Sequence, residues 1–171
     1  MEIERKFLLR ELPAHLESYP HYEIEQAYIT TNPVIRVRKK TVYHQTDETA
    51  STNYILTIKS SGLLARQEFE LPIEEAAYIN LCKKADGNVI AKTRYKIPLS
   101  QNLVLELDIF SGLFTGLTMG EIEFPDEASA KSYTPPAFIR KEVTFDTRFH
   151  NSTMSSMSKE EIAEFIQSLH D

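Results

Sequence analysis

The sequence contains a single cysteine, Cys82, and no tryptophan among its 171 residues. An intrachain disulfide and a cysteine-built zinc cluster are therefore excluded, Cys82 reads as a small buried hydrophobe, and the composition fits a reducing cytoplasm. Positive charge is in deficit as well, since 19 Lys and Arg against 25 Asp and Glu leave a net charge of −6. A long phosphate backbone would be repelled, so no nucleic-acid partner is expected and any anion site has to be local. Long apolar runs are missing: none approaches the roughly 20 residues that span a bilayer, and no basic segment precedes an apolar one at the N-terminus, so no membrane partner is expected. Strand patterning that starts at position 2 leaves no room for a cleavable leader. The phosphate loop GxxxxGK[ST], the GxGxxG fingerprint, HExxH and the GxSxG elbow are all absent, so any phosphate must be held by side chains. The five histidines, His15, His21, His44, His150 and His170, are scattered without metal-ligand spacing and read as surface residues.

What is present is strand signal. Short stretches rich in Ile, Val, Thr, Tyr and Phe alternate with polar residues and are punctuated by Pro, Gly, Asn and Ser, which predicts a single domain over 1–171 and a mainly β (α+β) fold, a barrel or sandwich. Strands are expected near 1–9, 22–31, 34–42, 52–60, 65–72, 88–97, 102–110 and 118–125. The polar segment 44–53 reads as an extended, mobile hairpin loop. Residues 73–84 follow Pro72 and place Ile73, Ala76, Ala77, Ile79 and Leu81 largely on one side of a short helix. A last helix is capped by Ser158 with Glu161 closing a capping box, and its stripe Ile162, Phe165, Ile166 and Leu169 needs a docking surface.

Charge recurs at period two, and several strands carry like-signed pairs. Glu2 and Glu4 lead to Lys6; Arg36 and Arg38 flank Val37; Glu68 and Glu70 flank Phe69; Lys92 and Arg94 flank Thr93; Glu106 and Asp108 flank Leu107; Glu121 and Glu123 flank Ile122. Each pair lies on one face of its strand. Any one pair is ordinarily a solvated outer face. The set argues otherwise, because ordinary surfaces mix signs within a strand. Two carboxylates about 7 Å apart repel by roughly 2 kcal/mol at an effective dielectric of 20, so pairs lining a confined interior need cations, and the basic pairs need anions. A complex of Mg²⁺ or Mn²⁺ with a polyphosphate neutralises both halves.

These residues resemble a known family. Glu2-Ile3-Glu4-Arg5-Lys6 is similar to the ExExK signature of the CYTH superfamily, the triphosphate tunnel metalloenzymes, which includes class IV adenylate cyclases, thiamine triphosphatases and inorganic tripolyphosphatases. IRVRK at 35–39, YILTIKS at 54–60, QEFEL at 67–71, KTRYK at 92–96, LELDIF at 105–110, GEIEF at 120–124 and KEVTFDTRFHN at 141–151 continue the likeness in family order. The C-terminal segment departs from it at Phe145, where many relatives carry glycine. The resemblance implies an eight-stranded antiparallel β-barrel tunnel with a few peripheral helices, acting on a triphosphate substrate with Mg²⁺ or Mn²⁺. Carried over, Glu2, Glu4, Asp108, Glu121 and Glu123 look like the metal group, with Glu68 and Glu70 as further acidic lining. Arg36, Arg38, Lys59, Lys92 and Arg94 look like the phosphate-binding group, and Lys6 with Lys59 like the pair that orients or deprotonates the attacking water.

The expected activity is metal-dependent hydrolysis of inorganic tripolyphosphate or a nucleoside triphosphate. A cyclase would further need adenine recognition, for which no residue pattern is visible. A thiamine triphosphatase would need a platform such as Tyr28 or Tyr54. Outside enzymes stand a polyphosphate-binding module, to which so many carboxylates are superfluous, and a structural barrel with charged outer faces. A homodimer is compatible with such a barrel, although no residue specifies one.

Overall fold

The computed structural model describes residues 2–43 and 49–170. Ten strands are present among them: β1 (Glu2–Leu9), β2 (His21–Thr31), β3 (Val34–Tyr43), β4 (Ala50–Lys59), β5 (Ala65–Arg66), β6 (Glu68–Ile73), β7 (Ile90–Pro98), β8 (Val104–Ser111), β9 (Thr118–Glu123) and β10 (Ile139–Glu142). Four α-helices accompany them: α1 (Glu75–Cys82), α2 (Glu127–Ser132), α3 (Asn151–Ser155) and α4 (Lys159–Ser168). Most of the loop expected over 44–53 lies outside the described residues, and Ala50 already belongs to β4.

The ladder runs β10-β1-β9-β8-β7-β2-β3-β4-β6, with β5 on β1. All the pairings are antiparallel. The expected strand at 65–72 is thus two strands, and this is where the ring comes together. Arg66 pairs across from Glu2 on β1, whereas Glu68, two residues on, pairs across from Lys59 on β4. The chain changes partner at Gln67, so the two edges of the sheet meet through a covalent turn instead of one continuous ladder. The Ser60 amide donates to the Gln67 carbonyl at 2.9 Å, and the Gln67 amide donates to Ser60 Oγ at 2.9 Å. The approach depends on Gly62, whose φ of +140° suits glycine and where a Cβ would sit 2.2 Å from the Ala65 carbonyl oxygen. β10 was not expected; it covers the far end of the same edge of β1, opposite Phe7–Leu9.

Apolar side chains pack mainly outside the barrel and at one end of it. On the outer face Ile3, Phe7, Leu105, Leu107 and Ile122 form a cluster with Ala130 of α2 and Tyr133. Helix α1 covers Ala27 and Val37 through Tyr78. Its buried face differs from the expected one: Pro72 and Ile73 belong to β6, Tyr78 is the buried residue and Ile79 is exposed. Cys82 is partly buried against the same cluster. Helix α4 matches its pattern: Ser158 Oγ accepts from the Glu161 amide at 3.1 Å and the Glu161 carboxylate accepts from the Ser158 amide at 2.7 Å. Its Ile162 and Phe165 dock on Leu8, Tyr28, Ile90, Phe110 and Met119, which lie in the inward-facing register of their strands. The C-terminal helices therefore close one end of the barrel with an apolar floor.

Candidate functional site

Above that floor the inward-facing positions are charged. They enclose a cavity of about 260 Å³ lined by Glu2, Glu4 and Lys6 of β1, Arg36 and Arg38 of β3, Lys59 of β4, and Glu68 and Glu70 of β6. Lys92 and Arg94 of β7, Glu106 of β8 and Glu121 and Glu123 of β9 also line it. The period-two pairs thus face one interior, which removes the reading of charged outer faces. Tyr28 reaches this interior, whereas Tyr54 lies outside, against Tyr78 with ring centroids 5.0 Å apart.

Most of the charge is matched internally. Lys6 Nζ lies 2.8 Å from Glu4 and 2.6 Å from Glu121. Lys59 Nζ bridges Glu2 at 2.9 Å and Glu68 at 2.8 Å. Arg94 forks onto Asp108 at 2.6 and 2.7 Å, reaches Glu121 at 2.7 Å and also contacts Glu106. Lys92 meets Asp108 at 2.5 Å. Asp108 stands apart from the other acidic residues: its side chain has no exposed surface and both oxygens are taken by Lys92 and Arg94, so it acts as their counter-ion. Glu70 lies at the rim, 3.9 Å from Arg36.

Two places remain unmatched. Arg36 donates to Thr57 Oγ1 at 3.1 Å, but its buried Nε has no partner. Arg38 forms no ion pair among the described residues and donates only to the Gln26 side-chain oxygen, at 3.0 Å. Burial, together with the neighbouring Arg36 and Arg94, pushes Arg38 down to about 10. This corner lacks an anion. At the carboxylate rim Glu123, exposed at the mouth, has no ion pair among the described residues, and partial burial plus the crowding of Glu2, Glu106, Glu4 and Glu68 raises its carboxyl above the usual range. Acidic side chains crowd this corner. Five carboxylates around one rim, all hard oxygen donors, suit Mg²⁺ or Mn²⁺, so the residues fit the expected metal. In the structure all of these carboxylates but Glu123 are turned toward basic side chains, and no group of three acidic, cysteine or histidine residues among the described ones is already arranged around a metal position.

Burial also shapes the remaining titrations. Glu121 is fully buried, which by itself would favour the neutral acid, yet Lys6, Arg94 and Lys92 hold its carboxyl well below the ordinary range. Lys6 is displaced the other way: burial opposes its charge, but Glu121 and Glu4 outweigh it and hold the ammonium above its usual range. Lys92 is pushed down to about 8 by burial, against the pull of Asp108 and with the help of Arg94.

Some lining residues were not singled out from the sequence. Arg66 bonds Glu2 and Glu4 at 2.9 and 2.8 Å. It shares the inward parity of Glu68 and Glu70, which was the available signal. His150, expected at the surface, is half-buried and lines the cavity, with Nε2 lacking a partner. Asn151 accepts from Lys92 at 3.3 Å. Both precede or open α3 and belong to no strand, so no periodicity pointed to them.

No protein-family model matches the chain. An inorganic triphosphatase of Nitrosomonas europaea is 34% identical over 158 residues, covering 90% of this chain and 96% of that protein. An inorganic triphosphatase of Acetivibrio thermocellus is 39% identical over 104 residues, 58% of this chain and 63% of that one. A crystal structure of an inorganic triphosphatase superposes with a TM-score of 0.65 at 30% identity, covering 92% of this chain and 96% of the other. A Hippeastrum protein, a candidate adenylyl cyclase described as having a dominant triphosphatase activity, shares the fold alone, at 16% identity and a TM-score of 0.54 over 77% of this chain and 83% of that one. With the charged tunnel on the same strands as the sequence signature, the chain belongs to the CYTH superfamily of triphosphate tunnel enzymes, among the inorganic triphosphatases.

Proposed function

We propose that this protein hydrolyses a linear triphosphate, inorganic tripolyphosphate or a nucleoside triphosphate, with Mg²⁺ or Mn²⁺ held at the carboxylate rim. The observation that carries this reading is the pairing, in one cavity, of arginine groups without an anion, Arg38 and the Arg36 Nε, with a rim where carboxylates crowd Glu123. A metal–triphosphate complex supplies both charges at once. Relatives named for the same activity support it.

In this reading Arg36, Arg38 and Arg94 bind phosphate oxygens and fix the chain of phosphates across the tunnel. Glu2, Glu4, Glu68, Glu121 and Glu123 would hold the metal, which when bound neutralises charge on the phosphate oxygens. Water adds to the terminal phosphorus, the anhydride P–O bond breaks, and diphosphate, or the nucleoside diphosphate when the substrate carries a nucleoside, leaves with the bonding electron pair. Lys6, held fully charged, orients the substrate and leaves deprotonation to another group. Lys59, held between Glu2 and Glu68, is placed to orient the attacking water, and Lys92, pushed down to about 8, is the lysine whose titration best suits proton acceptance. Lys59→Met with unchanged turnover would remove Lys59 from the mechanism.

The test is turnover of tripolyphosphate and ATP with Mg²⁺ and Mn²⁺ supplied separately, products resolved by chromatography, and Glu4→Gln as control. Orthophosphate from the parent, lost in the control, is the expected result. Cyclic AMP with diphosphate would assign a cyclase, and metal-dependent binding without turnover would assign a binding module.

A further inference from the structure

Arg66 is the residue of the cavity whose position is hardest to reconcile with an inert lining. It lies on a two-residue strand at the seam, across from Glu2, where the chain leaves β1 for β4. Its Nε donates to Glu2 at 2.9 Å and its Nη2 to Glu4 at 2.8 Å, so one guanidinium spans two carboxylates of the rim that would hold a metal. Its side chain is 16% exposed. Burial works against its charge, and Glu4 and Glu2 together outweigh burial. A divalent cation that took oxygens from Glu2 and Glu4 would meet a positive charge already bonded to both carboxylates, and the two like charges repel. Metal and guanidinium therefore compete for the pair.

We propose that Arg66 is an internal counter-ion that competes with the metal for Glu2 and Glu4, and that its guanidinium, displaced when metal enters, turns to the phosphate oxygens of the substrate. This rests on the functional reading above. The arrangement has two consequences. Without ligand, the carboxylates are held together against their own repulsion, so the rim keeps its shape. On loading, the energy of releasing Arg66 is recovered only when an anion arrives to receive it, so metal alone binds weakly and metal with triphosphate binds well. The short strand suits this role, because Arg66 is tied to β1 by only two register positions and lies beside the Gly62 turn.

The experiment is direct titration of Mn²⁺ by the loss of its free electron paramagnetic resonance signal, on the full chain without substrate. Arg66→Gln is expected to bind Mn²⁺ roughly tenfold more tightly than the parent, the scale usual for coupled sites. Its KM for tripolyphosphate at saturating Mn²⁺ should rise more than its kcat falls. Unchanged or weaker Mn²⁺ binding by folded Arg66→Gln overturns the inference, because a residue that only fastens the seam would lower the melting temperature without improving metal affinity. If Arg66→Gln does not fold, Arg66→Lys, which reaches one carboxylate in place of two, should tighten Mn²⁺ by roughly two- to threefold, and affinity equal to the parent's overturns the inference. Turnover of tripolyphosphate by the parent is scored separately. Turnover with no effect of Arg66 on Mn²⁺ removes this inference and keeps the functional reading, whereas tighter Mn²⁺ binding without turnover removes that reading and keeps the competition.

Discussion

Lys6 and Leu8 point to the same side of β1, yet Lys6 ends between Glu4 and Glu121 while Leu8 joins the apolar cluster with Met119 and Phe165. The same step recurs on neighbouring strands. Lys92 is charged where Ile90 is apolar, Asp108 where Phe110 is apolar, and Glu121 where Met119 is apolar. Lys92 marks the border, with its ammonium 5.1 Å from the Phe110 ring centre. Two regions of one interior thus obey opposite rules. The floor buries apolar area and stabilises the fold at roughly 25 cal/mol per Å². The lumen holds ion pairs whose desolvation offsets their attraction, and it leaves Arg38 and Glu123 unmatched, so it contributes little stability and is shaped for a ligand.

That contrast can be broken most directly at the floor. Phe165→Ala removes a ring that packs on Phe149 with centroids 5.1 Å apart, and is expected to cost about 3–5 kcal/mol of unfolding free energy in a denaturant titration. In the lumen, Arg38→Met should lower tripolyphosphate turnover by about a hundredfold, roughly 2.7 kcal/mol of transition-state stabilisation. Its melting temperature without ligand should stay level or rise by a few degrees, since a partly buried cation without a counter-ion has been removed. A large drop in stability would mean that the lumen, too, holds the fold together.

A smaller effect separates two lumen carboxylates by pH. Glu123 has a raised pKa, so its charge is complete well above that value and lost as pH falls through it; Glu121, held low, keeps its charge over the same range. Mn²⁺ affinity should therefore fall by about tenfold for each pH unit below the Glu123 pKa, and Glu123→Gln should flatten that profile in a titration series. The smallest change is at the helix that closes the floor. Ser158→Ala removes one side of the capping box and should cost about 1 kcal/mol with turnover unaltered.

The face of each charged strand was legible because alternation alone fixes it. Glu2, Glu4, Arg36, Arg38, Lys92, Arg94, Glu121 and Glu123 therefore came out on one interior. Depth was not legible. Nothing local says that Leu8 and Phe110 continue the inward face as a floor, because that follows from where α3 and α4 dock. The division of 65–73 was hidden for a related reason: the change of partner at Gln67 is set by β1 and β4, which are distant in sequence. The short stretch at 139–142 carries no alternation of its own and is a strand only because β1 offers it an edge. His150 depends on the same kind of non-local closure, which places a histidine outside any strand against the tunnel.

The central claim is that the lumen's unmatched cation and anion sites await one ligand of both charges. The measurement that tests it most directly is the melting temperature of the parent and of Arg38→Met with Mg²⁺ alone, tripolyphosphate alone, and both together. Ligand that binds only the folded chain raises the melting temperature by mass action. The account predicts that the parent gains most from the two together and that Arg38→Met loses most of that gain. An equal gain in Arg38→Met would contradict it.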